Sequence, residues 1–194
     1  MPVIFVGLAY LLGSIPFGLL IAKIWNIDIR QQGSGNIGAT NVLRTLGPGP
    51  GAVVFILDFL KGFLAVYLGY WIGGDPLMVL LLGTAAVLGH MYSVFLRFNG
   101  GKGAATGLGV LAGIAPGVFL LSVALAACLI GVTRYVSVGS IITPFAAALL
   151  MYLYHKPLPY VWVTLIIAVF ILIRHLPNIK RLLTGTEKKL GEKG

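Results

Sequence analysis

Two glycine-rich stretches carry most of the side chains that could do chemistry in this chain. The first reads GSGNIGATN at positions 33–41 and is followed closely by an arginine. Glycines let consecutive backbone N–H groups turn toward one point, and a helix beginning at Ala39 would add the positive end of its dipole. Such a loop suits a phosphate group. The residues predicted to surround the anion are Gly33, Ser34, Gly35, Asn36, Thr40, Asn41 and Arg44.

The second stretch reads NGGKGAATG at positions 99–107 and places a lysine among glycines. Gly101, Lys102 and Gly103 are its predicted anion ligands. Neither stretch is a Walker A motif, because Leu96 stands where the first glycine should be and Lys102 is followed by glycine. No strand surrounds the glycines as a dinucleotide fold requires. Taken singly, the glycines could be turns between spans and the cations simple membrane anchors, but the polar residues beside them favour anion binding.

The composition places these loops in an integral membrane protein. Hydrophobic residues make up 58% of the 194 residues and charged residues 10%, and the mean hydropathy is +0.99. Soluble globular domains lie far from these values. The length allows several spans of about 20 residues each but no separate soluble domain. We therefore expect one membrane domain over residues 1–194. The net charge of +9 does not indicate nucleic-acid binding, since the basic residues are scattered between apolar runs.

The apolar stretches predict an all-α, polytopic helix bundle with seven transmembrane helices. The stretch from Gly103 to Thr133 would make a helix of about 46 Å, too long for a hydrocarbon core of about 30 Å. A proline at position 116 interrupts it, so we expect two short helices to meet there. Five or six crossings are the alternative if a short segment only dips into the bilayer. The other apolar stretches cover residues 2–22, 49–72, 76–96, 135–154 and 157–173.

The basic residues predict the orientation of the spans. Seven crossings with the N-terminus outside put the C-terminus in the cytoplasm and leave only Lys156 outside, while Lys61 lies within a span. The basic tail, Lys193 included, is then cytoplasmic. Both glycine-rich stretches, Ser140 and the segment at 174–178 are expected to meet at the cytoplasmic face.

Few residues suit metal or acid–base chemistry. The chain has five acidic residues and no histidine, cysteine or carboxylate cluster with metal-ligand spacing, so we predict neither a metal site nor a cofactor. This shortage excludes the CDP-alcohol phosphotransferases, which need several aspartates on membrane helices. Asp58 and Lys61 are three positions apart and are expected to form a structural ion pair within the membrane. Among the histidines, His175 is favoured over His90 because Asn178 lies beside it.

Short motifs, spread in order over nearly the whole chain, carry a resemblance to a known family. They are GSIPFG at 13–18, DIR at 28–30, the first glycine-rich stretch through residue 44, DFLKG at 58–62, GH at 89–90, FNGGKGAATG at 98–107 and RHLPNIKRLLTGTE at 174–187. With these motifs the chain resembles the bacterial acyl-phosphate:glycerol-3-phosphate acyltransferases.

The resemblance implies a reaction and its setting. A fatty acyl group would pass from acyl phosphate to the 1-hydroxyl of sn-glycerol 3-phosphate, giving lysophosphatidic acid and inorganic phosphate in the first step of bacterial phospholipid synthesis. Both substrates carry phosphate, which accounts for two anion-binding loops. The site would lie at the cytoplasmic face of the inner membrane, in contact with membrane lipid, in a protein active as a monomer. None of the three histidines precedes an aspartate by five positions, so the His-x4-Asp mechanism of thioester-dependent acyltransferases is not available.

The resemblance also yields a hypothesis for the roles of the residues. Ser34, Arg44 and Lys102 would bind phosphate with the glycine loops. Ser34 and His175 are the predicted catalytic side chains; His175 is the first choice for a base, and the departing phosphate is the alternative. The residues expected to orient glycerol 3-phosphate are Asn36, Thr40, Asn41, Ser140, His175 and Asn178.

Two other classes of function compete with this hypothesis. A transporter of phosphorylated anions should carry charge near the membrane midplane and on both faces. Here only Asp58 and Lys61 lie within a span, and the polar groups gather on one side. A noncatalytic scaffold of a lipid-synthesis complex would leave the clustered serines, asparagines and cations unexplained.

Overall fold

The computed structural model of the chain describes residues 2–192, and over this range the fold is all-α without a strand. Lys193, assigned to the cytoplasmic tail from the sequence, lies outside the described residues. Short 3₁₀ turns occur at Ile29–Gln31 and Val94–Leu96. The α-helices of the described part are α1 Pro2–Ser14, α2 Phe17–Lys23, α3 Ala39–Leu46, α4 Pro48–Trp71, α5 Pro76–Met91, α6 Ala104–Ile114, α7 Pro116–Thr133, α8 Val136–Leu153, α9 Leu158–Arg174 and α10 Leu176–Leu183.

Proline residues begin several helices, and residues in the left-handed backbone conformation, such as Arg134 after α7, end others. Pro48, Pro76 and Pro116 each stand at the first position of a helix, where the missing N–H has no intrahelical partner to lose. Asp75 caps α5 by accepting a hydrogen bond from the backbone N–H of Met78 at 3.3 Å. The predicted division of the stretch 103–133 is confirmed, because α6 ends just before Ala115 and α7 begins at the proline that follows.

The first apolar stretch forms one candidate span, Val3–Lys23, but its helix is not continuous. It divides into α1 and α2, because Pro16 has no N–H to donate and adopts φ −90° and ψ 72°. The hydropathy of the stretch does not reveal this break, since Ile15 and Phe17 are as apolar as their neighbours. The break leaves the backbone oxygen of Ile15 accessible to other side chains within the span.

Several helices are long and apolar enough to cross a membrane. A bent pair, Leu158–Arg174 with Leu176–Leu183, would bring the number from five to six; the bend is 56°. The helix α6 has 11 residues, or about 16 Å, which is short of a hydrocarbon core of about 30 Å. The prediction of seven crossings therefore depends on how α6 and α9 lie in the bilayer. The five candidate spans of the described residues are Val3–Lys23, Pro48–Trp71, Pro76–Leu96, Pro116–Thr133 and Val136–Leu153.

The chain separates into two compact units, with the boundary inside α6. Among the described residues, the first unit comprises 2–110 with Gly191 and Glu192, and the second is Leu111–Leu190. In the first unit α1 packs along α5, and α4 contacts α5, α3 and α2. In the second, α8 packs against both α7 and α9. Each unit contains part of the predicted site and is described by itself; the single domain stays a prediction.

Candidate functional site

Asn41 braces the first glycine-rich loop from within. Its side chain is buried, and its amide nitrogen donates to the backbone oxygens of Gln32 and Asn36, both at 2.9 Å, and of Ile29 at 3.2 Å. Its amide oxygen accepts from the backbone N–H of Ser34 at 2.9 Å. One side chain thus ties both ends of the loop to the helix that follows. The structure gives Asn41 a bracing role, while its contact with substrate stays a prediction.

The loop leads into α3 in the manner that the sequence predicts. Gly33 and Gly35, at φ +56° and +70°, flank the exposed Ser34 and turn the chain where a side chain would be strained. The helix begins at Ala39, and among the described residues no side chain caps it at Gly38. Backbone N–H groups at the positive end of α3 therefore remain for a ligand.

An ion pair fixes the entry to this loop. Asp28 accepts hydrogen bonds from the backbone N–H of Arg30 at 3.0 Å and from its guanidinium at 2.7 and 2.9 Å. The side-chain bond first, and the backbone bond second, lower the pKa of Asp28 to about 2. The carboxylate is therefore charged at every physiological pH and keeps the 3₁₀ turn before the loop capped.

The helix α2 touches the first loop directly through Gly18. A Cβ added at Gly18 would overlap the backbone oxygen of Ile37. Ile37 is buried with Leu19, Ala22 and Val42 in one apolar cluster under the loop. The absence of a side chain at position 18 therefore lets the backbone of α2 support the backbone of the loop.

The second glycine-rich loop folds back onto the end of α5. The backbone N–H of Gly100 donates to Met91 O at 3.0 Å, and that of Gly101 donates to His90 O at 2.9 Å. Both glycines are buried, and a Cβ at Gly101 would collide with the His90 imidazole. The half-buried Lys102 follows immediately, and α6 begins two residues later. This loop thus also ends at a helix N-terminus, as the first does.

A buried charge cluster lies beside this loop, inside the membrane span. Lys61 Nζ is 2.8 Å from Asp58 Oδ1, so the predicted ion pair is confirmed. His90 joins it, with Nδ1 3.4 Å from the same Asp58 oxygen. His90, ranked below His175 from the sequence, was not predicted as a member of this cluster; the adjoining Gly89 and the charges at 58 and 61 were the available signals. Within residues 2–192 no three histidine, cysteine or carboxylate side chains form a group that could hold a metal ion.

In the second unit, the turn between α9 and α10 carries the other predicted residues. His175 is buried, and its Nδ1 is 2.8 Å from Ile171 O, which accepts only if Nδ1 carries the proton. In a neutral ring with the proton on Nδ1, the basic lone pair is on Nε2, and that nitrogen can accept a proton. Asn178 is also buried, one turn further along, and Ser140 is half-buried near the start of α8. All three keep their predicted roles as predictions.

Glu187 holds the chain after α10 against the second unit. Its carboxylate accepts from Asn178 Nδ2 and from Arg181 Nε, each at 2.7 Å, and its side chain is 3% exposed. Burial alone would raise the pKa of Glu187, but the hydrogen bonds from Asn178 and Arg181 outweigh burial and lower the pKa. Glu187 is the last residue of the motif at 174–187, but no role was predicted for it, although an acidic residue in a basic tail was a signal for pairing.

Glu187→Gln should lower the thermal midpoint of the purified protein. The amide cannot satisfy Asn178 and Arg181 as a carboxylate does, and charged hydrogen bonds of this kind contribute about 1.5–3 kcal/mol. Because the folded pKa lies below the ordinary value of 4.5, wild type should keep this advantage above pH 4.5 and lose it as the pH falls further. Thermal unfolding against pH measures both effects.

The matched control is Glu192→Gln, which removes the same charge from an exposed position of the same tail. Asp28 is present in wild type and in both variants. The difference in thermal midpoint between wild type and Glu187→Gln, plotted against pH, therefore reports the contribution of Glu187. A Glu187→Gln protein as stable as the control at neutral pH would show that the hydrogen bonds of Glu187 do not stabilise the protein.

Known proteins are similar to this chain over nearly its entire length. A model of the family described as glycerol-3-phosphate acyltransferase matches residues 3–185. Glycerol-3-phosphate acyltransferase 2 of Moorella thermoacetica is 46% identical over 186 residues, which are 95% of each chain. The glycerol-3-phosphate acyltransferase of Thermus thermophilus is 47% identical over 186 residues, 96% of this chain and 94% of its own.

Solved structures of a related protein also superpose on the fold of this chain. The crystal structure of PlsY (YgiH), an integral membrane glycerol 3-phosphate acyltransferase, in its glycerol 3-phosphate form, superposes with a TM-score of 0.94 at 44% identity over 98% of this chain and 96% of that chain. Its lysophosphatidic acid form superposes with a TM-score of 0.92 over 98% and 95% of the two chains.

Proposed function

Because the chain belongs to the glycerol-3-phosphate acyltransferase family, we propose that it transfers a fatty acyl group from acyl phosphate to the 1-hydroxyl of sn-glycerol 3-phosphate. The products are lysophosphatidic acid and inorganic phosphate. The observation that carries this proposal is the pair of glycine-rich loops in the first unit, each of which ends at a helix N-terminus. Two phosphate-bearing substrates need two such loops. The glycerol 3-phosphate and lysophosphatidic acid forms of PlsY support the acceptor and the product.

The choice of acyl phosphate as donor rests on the residues available for chemistry. A thioester-dependent enzyme of the His-x4-Asp type needs a histidine–aspartate pair that this sequence lacks. Acyl phosphate is a mixed anhydride with a good leaving group, so positioning and stabilisation of charge go far toward the required rate. Backbone N–H groups and cations, which both loops supply, provide that stabilisation.

The proposed step is a direct acyl transfer. The 1-hydroxyl oxygen of glycerol 3-phosphate attacks the acyl carbon, a new C–O ester bond forms, and the bond from that carbon to the phosphate oxygen breaks. Phosphate leaves with the electron pair. We assign Ser34, Arg44 and Lys102 to the phosphate groups, and the developing negative charge is stabilised by the N–H groups of the loops.

The hydroxyl proton needs an acceptor in this step. We assign it to His175, whose Nδ1 contact with Ile171 O leaves Nε2 as the basic nitrogen of the neutral ring. The departing phosphate is the alternative acceptor. Asn36, Thr40, Asn41, Ser140 and Asn178 are assigned to the orientation of glycerol 3-phosphate, from the sequence.

We further propose seven crossings, with the N-terminus outside and the active site at the cytoplasmic face of the bacterial inner membrane. The count takes α6 as a short crossing and α9 as the last. An even number of crossings between Lys102 and Arg134 keeps both on the cytoplasmic side, in keeping with the positive-inside rule. The protein is proposed to act as a monomer of one domain and without a cofactor.

Purified protein should acylate labelled glycerol 3-phosphate when palmitoyl phosphate is added, and should not do so with palmitoyl-CoA or palmitoyl-acyl carrier protein. Unphosphorylated glycerol should be a poor acceptor, since it offers no anion to the loops. Chromatography of the labelled lipid measures the product. Equal or faster acylation from a thioester would contradict the proposed donor, and no acylation from any donor would contradict the enzymatic function.

A further inference from the structure

The charge cluster of Asp58, Lys61 and His90 lies where charge is costly. The side chains of Asp58 and Lys61 are 2% and 1% exposed, near the middle of the 24-residue helix α4. Buried ion pairs add little net stability over well-packed apolar residues, and ionisable groups inside a membrane usually have a function. The contacts of the cluster indicate what that function is.

Lys61 connects the cluster to the break between α1 and α2. Its ammonium donates to Ile15 O at 3.1 Å and lies 5.6 Å from the centre of the Phe17 ring. The carbonyl is accessible because Pro16 interrupts the helix at this point. The next residue, Gly18, packs against the Ile37 backbone in the first glycine-rich loop. Contacts at Ile15, Phe17 and Gly18 therefore connect the cluster to that loop.

His90 connects the cluster to the second glycine-rich loop. Its Nδ1 faces Asp58, its backbone oxygen accepts the N–H of Gly101, and its imidazole is the surface against which Gly101 packs. A shift of the imidazole would move Gly101 and, with it, the adjoining Lys102. The charge cluster thus has contacts that lead to both loops.

We infer that the Asp58–Lys61–His90 cluster is a positioning device that holds the two glycine-rich loops at a fixed separation. The inference rests on the proposed function, in which each loop binds the phosphate of one substrate. The cluster does not touch substrate; Lys61 holds the α1–α2 break, and His90 supports Gly101. The distance between the acyl carbon of one substrate and the attacking hydroxyl of the other then depends on the polar contacts among Asp58, Lys61 and His90.

The distance between the loops tests this inference without reference to activity. Spin labels at Ser34→Cys and Asn99→Cys, both exposed positions, in a Cys128→Ser background would report the separation by double electron–electron resonance in the full-length protein. His90→Leu should broaden or shift the distance distribution. The double variant Asp58→Asn/Lys61→Met should do the same while leaving no unpaired charge, so that it folds even if a single neutralisation does not.

The control is Tyr10→Phe, which removes another hydrogen bond between α1 and the end of α5, from Tyr10 Oη to Tyr92 O at 2.6 Å, outside the cluster. It should leave the distance unchanged. His90→Asn, whose amide can still donate toward Asp58, should restore part of the wild-type distribution. Distributions identical to wild type in both His90→Leu and the double variant would overturn the inference.

Kinetics on the unlabelled proteins link the position of the loops to the reaction. His90→Leu should lower kcat/KM by about 100-fold, mostly by lowering kcat, since each loop still binds its phosphate and a misplacement of the reacting atoms by about 1 Å has effects of this size. A broadened distance with unchanged kcat/KM for both substrates would also overturn the inference. A wild-type protein that makes no lysophosphatidic acid would instead overturn the proposed function, and the distance measurement would still decide the positioning.

Discussion

Gly18→Ala is expected to lower kcat/KM for glycerol 3-phosphate by about 100-fold, because the new methyl group must displace the first glycine-rich loop. The Cβ would overlap Ile37 O, a backbone atom that no rotamer change can move aside. Either α2 or the loop has to shift. The overpacking should also cost about 1–3 kcal/mol of stability. Steady-state kinetics and thermal unfolding in detergent measure the two effects.

Gly7→Ala in the same candidate span is the matched control. An alanine Cβ at position 7 meets nothing within 4 Å, and alanine favours a helix over glycine. This variant should therefore keep wild-type kinetics and stability. A folded Gly18→Ala protein with wild-type kcat/KM would show that the contact between α2 and the loop has no role in catalysis.

Lys102→Met is expected to lower kcat/KM by about 10- to 100-fold, because a hydrogen bond between a charged group and a phosphate contributes about 1.5–3 kcal/mol to binding. Methionine keeps most of the length and apolar stem of lysine but removes the cation that follows Gly101. The loss should appear chiefly as a higher KM for one phosphorylated substrate. Varying glycerol 3-phosphate and palmitoyl phosphate in turn would identify which phosphate the second loop holds.

The control for charge alone is Lys156→Met, at an exposed position in the turn between α8 and α9. It removes the same charge from the protein and should leave both KM values unchanged. If Lys102→Met matched this control for both substrates, Lys102 would have no role in binding phosphate.

Much of the fold follows from the sequence, because apolar length and proline position act locally. The division at Pro116 is predicted and confirmed, and α3 begins at Ala39, the start for which the contribution of the helix dipole was considered from the sequence. The Asp58–Lys61 pair is predicted because residues three apart share a helix face. The break at Pro16 is not predicted, because residues 2–22 have the length of a single span, although the proline itself was a signal for a break.

The internal support of the site is harder to predict, because it depends on distant residues. That Asn41 reaches the backbone oxygens of Ile29, Gln32 and Asn36 depends on the path of an irregular segment, which no periodicity describes. That His90 meets Asp58 depends on how α5 is rotated against α4. The sequence therefore identifies which residue types are available for chemistry, and packing decides which of them brace the loops.

The most direct test of the central claim is to measure lysophosphatidic acid and inorganic phosphate together, in one reaction of purified protein with palmitoyl phosphate and glycerol 3-phosphate. Direct acyl transfer predicts equal amounts of the two products at all times, and no phosphate release when glycerol 3-phosphate is omitted. Phosphate released without lysophosphatidic acid, or lysophosphatidic acid formed without phosphate, would contradict the account.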